Sequence, residues 1–100
     1  MKLSNETHKI LDPTIKISAT AVRVPVIGGH SESINITLLN SFEISEINNL
    51  LTNTSGVIVK DDPAQLKYPM PLFCKGKDEV FVGRIRKDFS EKNSLNLWVV

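Results

Sequence analysis

Two apolar stretches, VFVGRI at residues 80–85 and LNLWVV at residues 95–100, decide the fold of this chain. Both are rich in β-branched and aromatic residues, the types that are enriched in strands. A polar link from Lys87 to Ser94 separates them. Two strand-like stretches joined by a short polar link are typical of a hairpin. The sequence therefore predicts an antiparallel pair of strands here.

Strand patterns also precede this pair. Ile34, Ile36 and Leu38 alternate with polar residues, as in a strand that has one face in water. Before them, the pair Gly28-Gly29 supplies the backbone freedom for a reversal. The residues from Ile15 to Val26 are small, β-branched and mostly apolar, which predicts a strand buried on both faces near its end. We therefore expect a strand-turn-strand unit over residues 15–38.

Helical patterns flank these segments. Residues from Lys2 to Leu11 place apolar side chains near one helical face, and Asp12-Pro13 ends the pattern because proline cannot continue a helix. A second helix is predicted with Ser45 as its N-cap and Gly56 at its end, followed by a strand from Val57 to Lys60. Three prolines, at positions 63, 69 and 71, mark an irregular surface crossing. The predicted class is α+β, a mostly antiparallel mixed sheet with one or two packed helices.

Composition narrows the function classes. The chain has 100 residues, 41% of them hydrophobic, which is enough for one modest core. Its formal net charge of +1 argues against nucleic acid as a partner. Cys74 is the single cysteine, so no intrachain disulfide forms and a cytoplasmic location is expected. No stretch reaches the roughly 18 apolar residues of a membrane span, so no membrane is implied.

Arg23 and His30 are the candidate functional residues. Arg23 lies in an otherwise apolar segment, where its planar guanidinium either binds a carboxylate ligand or forms a structural ion pair. His30 follows two glycines at a reversal, where it either acts as an acid-base group or is merely solvated. His8 is the only other histidine and no Cys or His cluster accompanies either one, so no metal site is predicted.

Cys74 is a weaker candidate. Lys75 and Lys77 could favour its thiolate, but no partner base or helix start is visible around it. We therefore interpret it as a small, partly packed hydrophobic residue in a loop, not a nucleophile. The five glycines form no phosphate-cradling pattern, so no cofactor-binding residues are predicted in this chain.

Several runs resemble the aspartate-semialdehyde dehydrogenase family. The resemblance is carried by ISATAVRVPV at residues 17–26, GHSES at 29–33, DDP at 61–63, YP at 68–69, GKDEVFVGRIR at 76–86 and LNLWVV at 95–100. NETHKI at residues 5–10 also resembles the helix that the family places before the first of these runs. The resemblance thus covers nearly the whole chain.

The resemblance implies an NADP-dependent oxidoreductase. The family reduces aspartyl phosphate to aspartate semialdehyde with NADPH, on the route to lysine, threonine, methionine and diaminopimelate. Arg23 stands where the family has the arginine that grips the substrate carboxylate. His30 stands where it has its acid-base histidine, which handles the proton while a cysteine thiolate forms a thioacyl intermediate.

Departures from the family pattern imply a partial chain. The family's nucleophile lies in an Asn-Cys turn that is missing here, and its N-terminal Rossmann domain is missing too. We therefore expect residues 1–100 to be part of the C-terminal dimerisation and substrate domain, inactive alone. The apolar strand at residues 95–100 predicts pairing, as a homo-oligomer or with the missing half. A noncatalytic dimerisation remnant and a fragment of N-acetyl-glutamyl-phosphate reductase are the alternatives.

Overall fold

The computed structural model of the chain describes residues 2–100. Its three α-helices and four strands confirm the predicted α+β class. In chain order the elements are α1 (Lys2–Ile10), β1 (Glu32–Thr37), α2 (Ile44–Thr52), β2 (Val57–Val59), a 3₁₀ turn (Pro63–Gln65), α3 (Pro71–Cys74), β3 (Val80–Lys87) and β4 (Ser94–Val99).

The four strands form one mixed sheet in the order β1-β4-β3-β2. β4 pairs antiparallel with both β1 and β3, whereas β2 pairs parallel with β3. The predicted antiparallel pair is therefore confirmed, with β3 extending to Lys87. A parallel partner needs a crossover connection, and the stretch from residue 60 to 79, with the 3₁₀ turn and α3, provides it.

One face of the sheet carries the hydrophobic core. Val82, Ile85, Leu95 and Leu97 are buried there, and α2 packs over β2 and β3. Alternate residues of a strand point to opposite faces, so Leu95 and Leu97 of β4 reach this side together. Partly buried apolar residues complete the layer: Ile34, Leu38, Phe42, Ile44, Ile47, Leu51, Val57, Val59 and Val99.

The opposite face of β1 and β4, here called the outer face, is polar. Ser33 lies opposite Trp98, Asn35 opposite Asn96, and Thr37 opposite Ser94. The Asn35 side-chain amide donates to Asn96 Oδ1 at 2.9 Å, and the Thr37 and Ser94 hydroxyl oxygens lie 2.7 Å apart. These cross-strand pairs fix the register of β1 on β4.

The crossing between β2 and α3 packs tightly on the outer face at Gly83. Trp98 Nε1 donates to the Pro69 carbonyl oxygen at 3.1 Å. A Cβ added to Gly83 would stand 2.5 Å from Pro69 Cδ and closer still to the Lys60 carbonyl oxygen. Only glycine leaves room for this close approach.

A bulge interrupts β3 between Gly83 and Arg86, where the register against β4 shifts. Arg84 has a φ of 56°, in the left-handed region that is uncommon for a residue with a side chain. The Ile85 N–H donates to Asp61 Oδ2 at 2.8 Å. The carboxylate of Asp61 thus holds the bulged backbone in place.

The strand predicted from Ile15 to Val26 was wrong. These residues form no strand in the described chain, and Val22 and Val24 are 76% and 55% exposed instead of buried. Pro25 lacks a backbone donor, and the local bond from Val26 N to Val24 O turns the backbone away from a ladder. The strand-turn-strand unit is therefore reduced to β1, in which Ile34 packs against the core whereas Ile36 is 37% exposed.

The predicted N-cap of α2 was also wrong. The N-cap is Glu43, and Ser45 lies inside the first turn. The Glu43 N–H donates to Glu46 Oε2 at 2.7 Å, which satisfies a donor that a helix start would otherwise leave free. The helix ends at Thr52, and Gly56, with a φ of 78°, makes the turn into β2.

Candidate functional site

The candidate residues Arg23 and His30 lie on the exposed segment between α1 and β1. Gly28 and Gly29 adopt φ values of 79° and 80°, which only glycine takes without strain, and this reversal leads through His30 into β1. The glycine conformations agree with the predicted turn, but no strand precedes it. The segment thus presents both side chains outside the sheet and its core.

The short helix α3 supports this segment. Residues Pro25 to Ile27 and part of α3 line a cavity of about 370 Å³, and Gly28 and Gly29 line a second one of about 230 Å³ with Cys74. Lys75 lines both cavities, and a Cβ on Gly28 would contact its Cγ at 3.7 Å. Sequence reasoning considered Lys75 only as a neighbour of Cys74 and missed this supporting contact.

Neither candidate side chain is held by an ion pair. Among residues 2–100, salt bridges join Lys2 to Glu6 and Lys87 to Glu43, and Arg23 takes no part in either. The structural ion pair considered for Arg23 is therefore not found in the described chain. Its guanidinium is exposed, as is the imidazole of His30. No salt bridge involves either side chain within residues 2–100.

The other histidine has a local partner. His8 Nε2 lies 2.8 Å from the carbonyl oxygen of Ile15, which ties α1 to the start of the exposed segment. Within the described residues, no group of three or more His, Cys, Asp and Glu side chains could hold a metal ion.

Cys74 is half-buried as predicted, but it is the last residue of the helix α3 and not part of a loop. Its backbone N–H closes the helix by donating to the Met70 carbonyl oxygen at 3.2 Å. No histidine or aspartate lines the cavity that it shares with Gly28 and Gly29; its charged lining residues are Lys75, Lys77 and Glu79. This environment fits the interpretation of Cys74 as a packed residue rather than a nucleophile.

A second candidate site lies on the outer face, at the bulge in β3. Arg84 and Arg86 line a cavity of about 310 Å³ together with Ser33, Tyr68, Pro69, Leu97 and Trp98. Sequence reasoning missed it, although two arginines at alternate positions of an apolar strand were a visible signal. The bulge, whose register shift places Arg86 opposite Asn96 on the outer face, leaves no trace in the strand pattern.

Fold and site together define an α+β domain that presents an arginine and a histidine on a supported loop beside a half-covered mixed sheet. A family model described as "Semialdehyde dehydrogenase, dimerisation domain" matches residues 1–100. The chain belongs to this family. The α+β fold and the family resemblance seen in the sequence are thus both confirmed.

The matched relatives are aspartate-semialdehyde dehydrogenases. The chain is 48% identical over 102 residues to that of Bacillus subtilis strain 168 and 50% identical over 100 residues to that of Aquifex aeolicus. Nearly all of this chain is covered, but only 30% and 29% of those two relatives. The chain therefore spans less than a third of the length of these curated relatives.

Solved structures agree with the computed fold. Aspartate semialdehyde dehydrogenase II from Vibrio cholerae, in a crystal structure with ASA, is 35% identical with a TM-score of 0.82 over 98% of this chain and 29% of that one. The enzyme from Francisella tularensis is 26% identical with a TM-score of 0.75. None of the helices within residues 2–100 is long and apolar enough to cross a membrane.

Proposed function

We propose that this chain is the substrate-binding and subunit-pairing part of a cytoplasmic, NADP-dependent aspartate-semialdehyde dehydrogenase. The match of the dimerisation-domain family over residues 1–100 carries the proposal, because it includes the segment with Arg23 and His30. In this proposal, residues 1–100 are part of the C-terminal domain. The Rossmann domain and the cysteine nucleophile belong to the remaining two thirds of the enzyme.

Arg23 binds the substrate carboxylate in this proposal. A guanidinium presents two parallel N–H donors that match the two oxygens of a carboxylate. The exposure of Arg23 and the lack of an ion pair within residues 2–100 support this role, since its donors remain available for a ligand. Aspartyl phosphate and aspartate semialdehyde both carry such a carboxylate.

His30 is the acid-base group in this proposal. An imidazole exchanges protons near neutral pH, which suits it to the proton transfers that accompany attack on an acyl phosphate. Its position directly after the Gly28-Gly29 reversal, which packs beside Lys75, supports the role because a supported loop can hold the ring toward a cleft. The cleft itself would be completed by the rest of the enzyme.

The cofactor does not fit the residues of this chain. Its glycines, at positions 28, 29, 56, 76 and 83, have no spacing that cradles a pyrophosphate. NADP would thus be bound by residues outside the chain, and we assign it no step here. The chain alone is proposed to be inactive, since in this proposal the cysteine nucleophile and the site for the hydride-donating cofactor both lie outside it.

Subunit pairing is proposed to use the sheet. The helix α2 covers one face, whereas the outer face carries the polar pairs of β1 and β4 without a covering helix. The family's description as a dimerisation domain supports a second copy as the partner. The exposed Val22 and Ile27 support a further contact between the loop segment and the rest of the enzyme.

A chimeric enzyme tests the proposal. We would replace the matching segment of the Bacillus subtilis enzyme, 48% identical, with this chain and measure NADP-dependent oxidation of aspartate semialdehyde in phosphate buffer. We expect an active chimera, and no rate from the purified chain alone. A chimera that is folded and dimeric but inactive would favour the noncatalytic dimerisation module.

Two variants of the chimera separate the proposed roles. Arg23→Lys keeps the charge but loses the two-donor fork, so it should chiefly raise KM, by the equivalent of about 1.5–3 kcal/mol. His30→Asn keeps much of the shape but exchanges no proton, so kcat should fall about a hundredfold with a smaller effect on KM. Normal substrate binding by the first variant, or normal turnover by the second, would refute that residue's role. Thermal melts control for folding.

A further inference from the structure

The bulge in β3 brings two arginines to one depression on the outer face. Arg84 and Arg86 both line the cavity of about 310 Å³. The register shift between Gly83 and Arg86 marks the distortion, and Asp61 Oδ2 braces it by accepting from the Ile85 N–H at 2.8 Å. The backbone beneath the two arginines is therefore fixed by a charged hydrogen bond.

Both guanidinium groups are oriented by neighbours. The Arg84 guanidinium lies over the ring of Tyr68, with its carbon 5.0 Å from the ring centroid. Arg86 Nη1 donates to the carbonyl oxygen of Arg84 at 2.7 Å. The Trp98 indole, held by its bond to the Pro69 carbonyl oxygen, forms another wall of the depression. These contacts preorganise the two cations before any ligand arrives.

No carboxylate among residues 2–100 forms a salt bridge with either arginine. Two like charges in one depression repel each other, and an anion between them removes that repulsion. Arg84 also occupies a left-handed φ of 56°, a backbone position where glycine would cost less. The side chain is thus kept in a strained position that directs its charge into the depression.

We propose that Arg84 and Arg86 form a binding site for an oxyanion, either a phosphate or a carboxylate group. Two guanidinium forks supply the charged donors, and the Ser33 hydroxyl, across the depression on β1, supplies a neutral one. The anion comes either from solution or from an acidic side chain of a second copy of this chain. The site does not involve Arg23 or His30, whereas the second-copy source rests on the proposed pairing through the outer face.

The test uses the indole N–H signal of Trp98, the only tryptophan, in proton–nitrogen NMR spectra of the chain. Inorganic phosphate, and separately succinate, is added at constant ionic strength and low protein concentration. We expect a saturable shift with a Kd of about 1 mM. Arg84→Gly retains the left-handed backbone and Arg86→Gln retains the length, and each should weaken binding about tenfold through one lost charged interaction.

Lys9→Gln on α1 is the matched control, because it removes an exposed charge far along the chain and should leave the titration unchanged. A dilution series without added anion distinguishes an anion from solution from an acidic side chain of a second copy. A Trp98 shift that grows with protein concentration, is competed by phosphate and is lost in both arginine variants assigns the anion to a second copy. Absence of both shifts, or shifts that persist in Arg84→Gly and Arg86→Gln, would overturn the proposal.

Discussion

Gly83→Ala should be the most damaging single-methyl substitution of the sheet. The added Cβ would stand 2.5 Å from Pro69 Cδ and would overlap the Lys60 carbonyl oxygen. Lys60 cannot shift freely, because its N–H donates to the Val82 carbonyl oxygen at 2.8 Å. Pro69 is likewise held, since its own carbonyl accepts from Trp98 Nε1.

The magnitude follows from these two constraints. Forcing a methyl group into a packed site costs about 1–3 kcal/mol, and weakening a backbone hydrogen bond adds about 1 kcal/mol. We therefore expect the free energy of unfolding to fall by about 3 kcal/mol. For a domain of this size that corresponds to a Tm lowered by roughly 15 °C.

Urea unfolding, followed by the fluorescence of Trp98 and by circular dichroism, measures the effect. Gly56→Ala is the matched control: Gly56 has a φ of 78°, but an added Cβ meets nothing within 4 Å. Gly56→Ala should lower the free energy of unfolding only through the strain of a positive φ in a residue with a side chain, about 1 kcal/mol. If Gly83→Ala lost no more stability than Gly56→Ala, the close packing of the crossing on β3 would be wrong.

Three further predictions concern single residues and assembly. Cys74→Ser should leave the chimera's kcat within about twofold, because no histidine or aspartate lines the cavity beside the thiol; a loss of activity beyond that, in folded protein, would make Cys74 functional. The Ser90 hydroxyl and N–H and the Asn35 amide lower the pKa of Asp88 from its usual 3.8. A lowered pKa in the folded state gives stability that is lost as the pH falls from 3.8 toward that lowered value. The urea midpoint should therefore drop less between about pH 5 and about pH 3 in Asp88→Asn than in the unchanged chain. An equal drop in both proteins would refute this. Sedimentation across micromolar concentrations should show dimers or larger species, whereas a monomer throughout would contradict pairing through the sheet.

Local sequence determined the elements whose pattern and partners are close along the chain. The helical spacing before Asp12 and the hairpin of β3 and β4 both folded as predicted. In each, the spacing of apolar residues produces one apolar face, and the residues that end the element lie within a few positions of it. The resemblance of the motif runs likewise identified the family, because it needs residue order alone.

Tertiary contacts decided the rest. The apolar residues from Ile15 to Val26 satisfy a strand pattern, but no strand of the sheet pairs with them, and most of them are exposed. A segment of high β-propensity forms a strand only where a neighbouring strand supplies hydrogen bonds, and the segment's own residues do not specify that neighbour. The bulge at Arg84 has the same origin: Asp61, 24 positions before Ile85, supplies the acceptor that the ladder lost. The depression that joins Arg84 and Arg86 to Ser33 and Trp98 exists only because strands distant in sequence meet, which is why residue patterns identified the loop candidates but not this site.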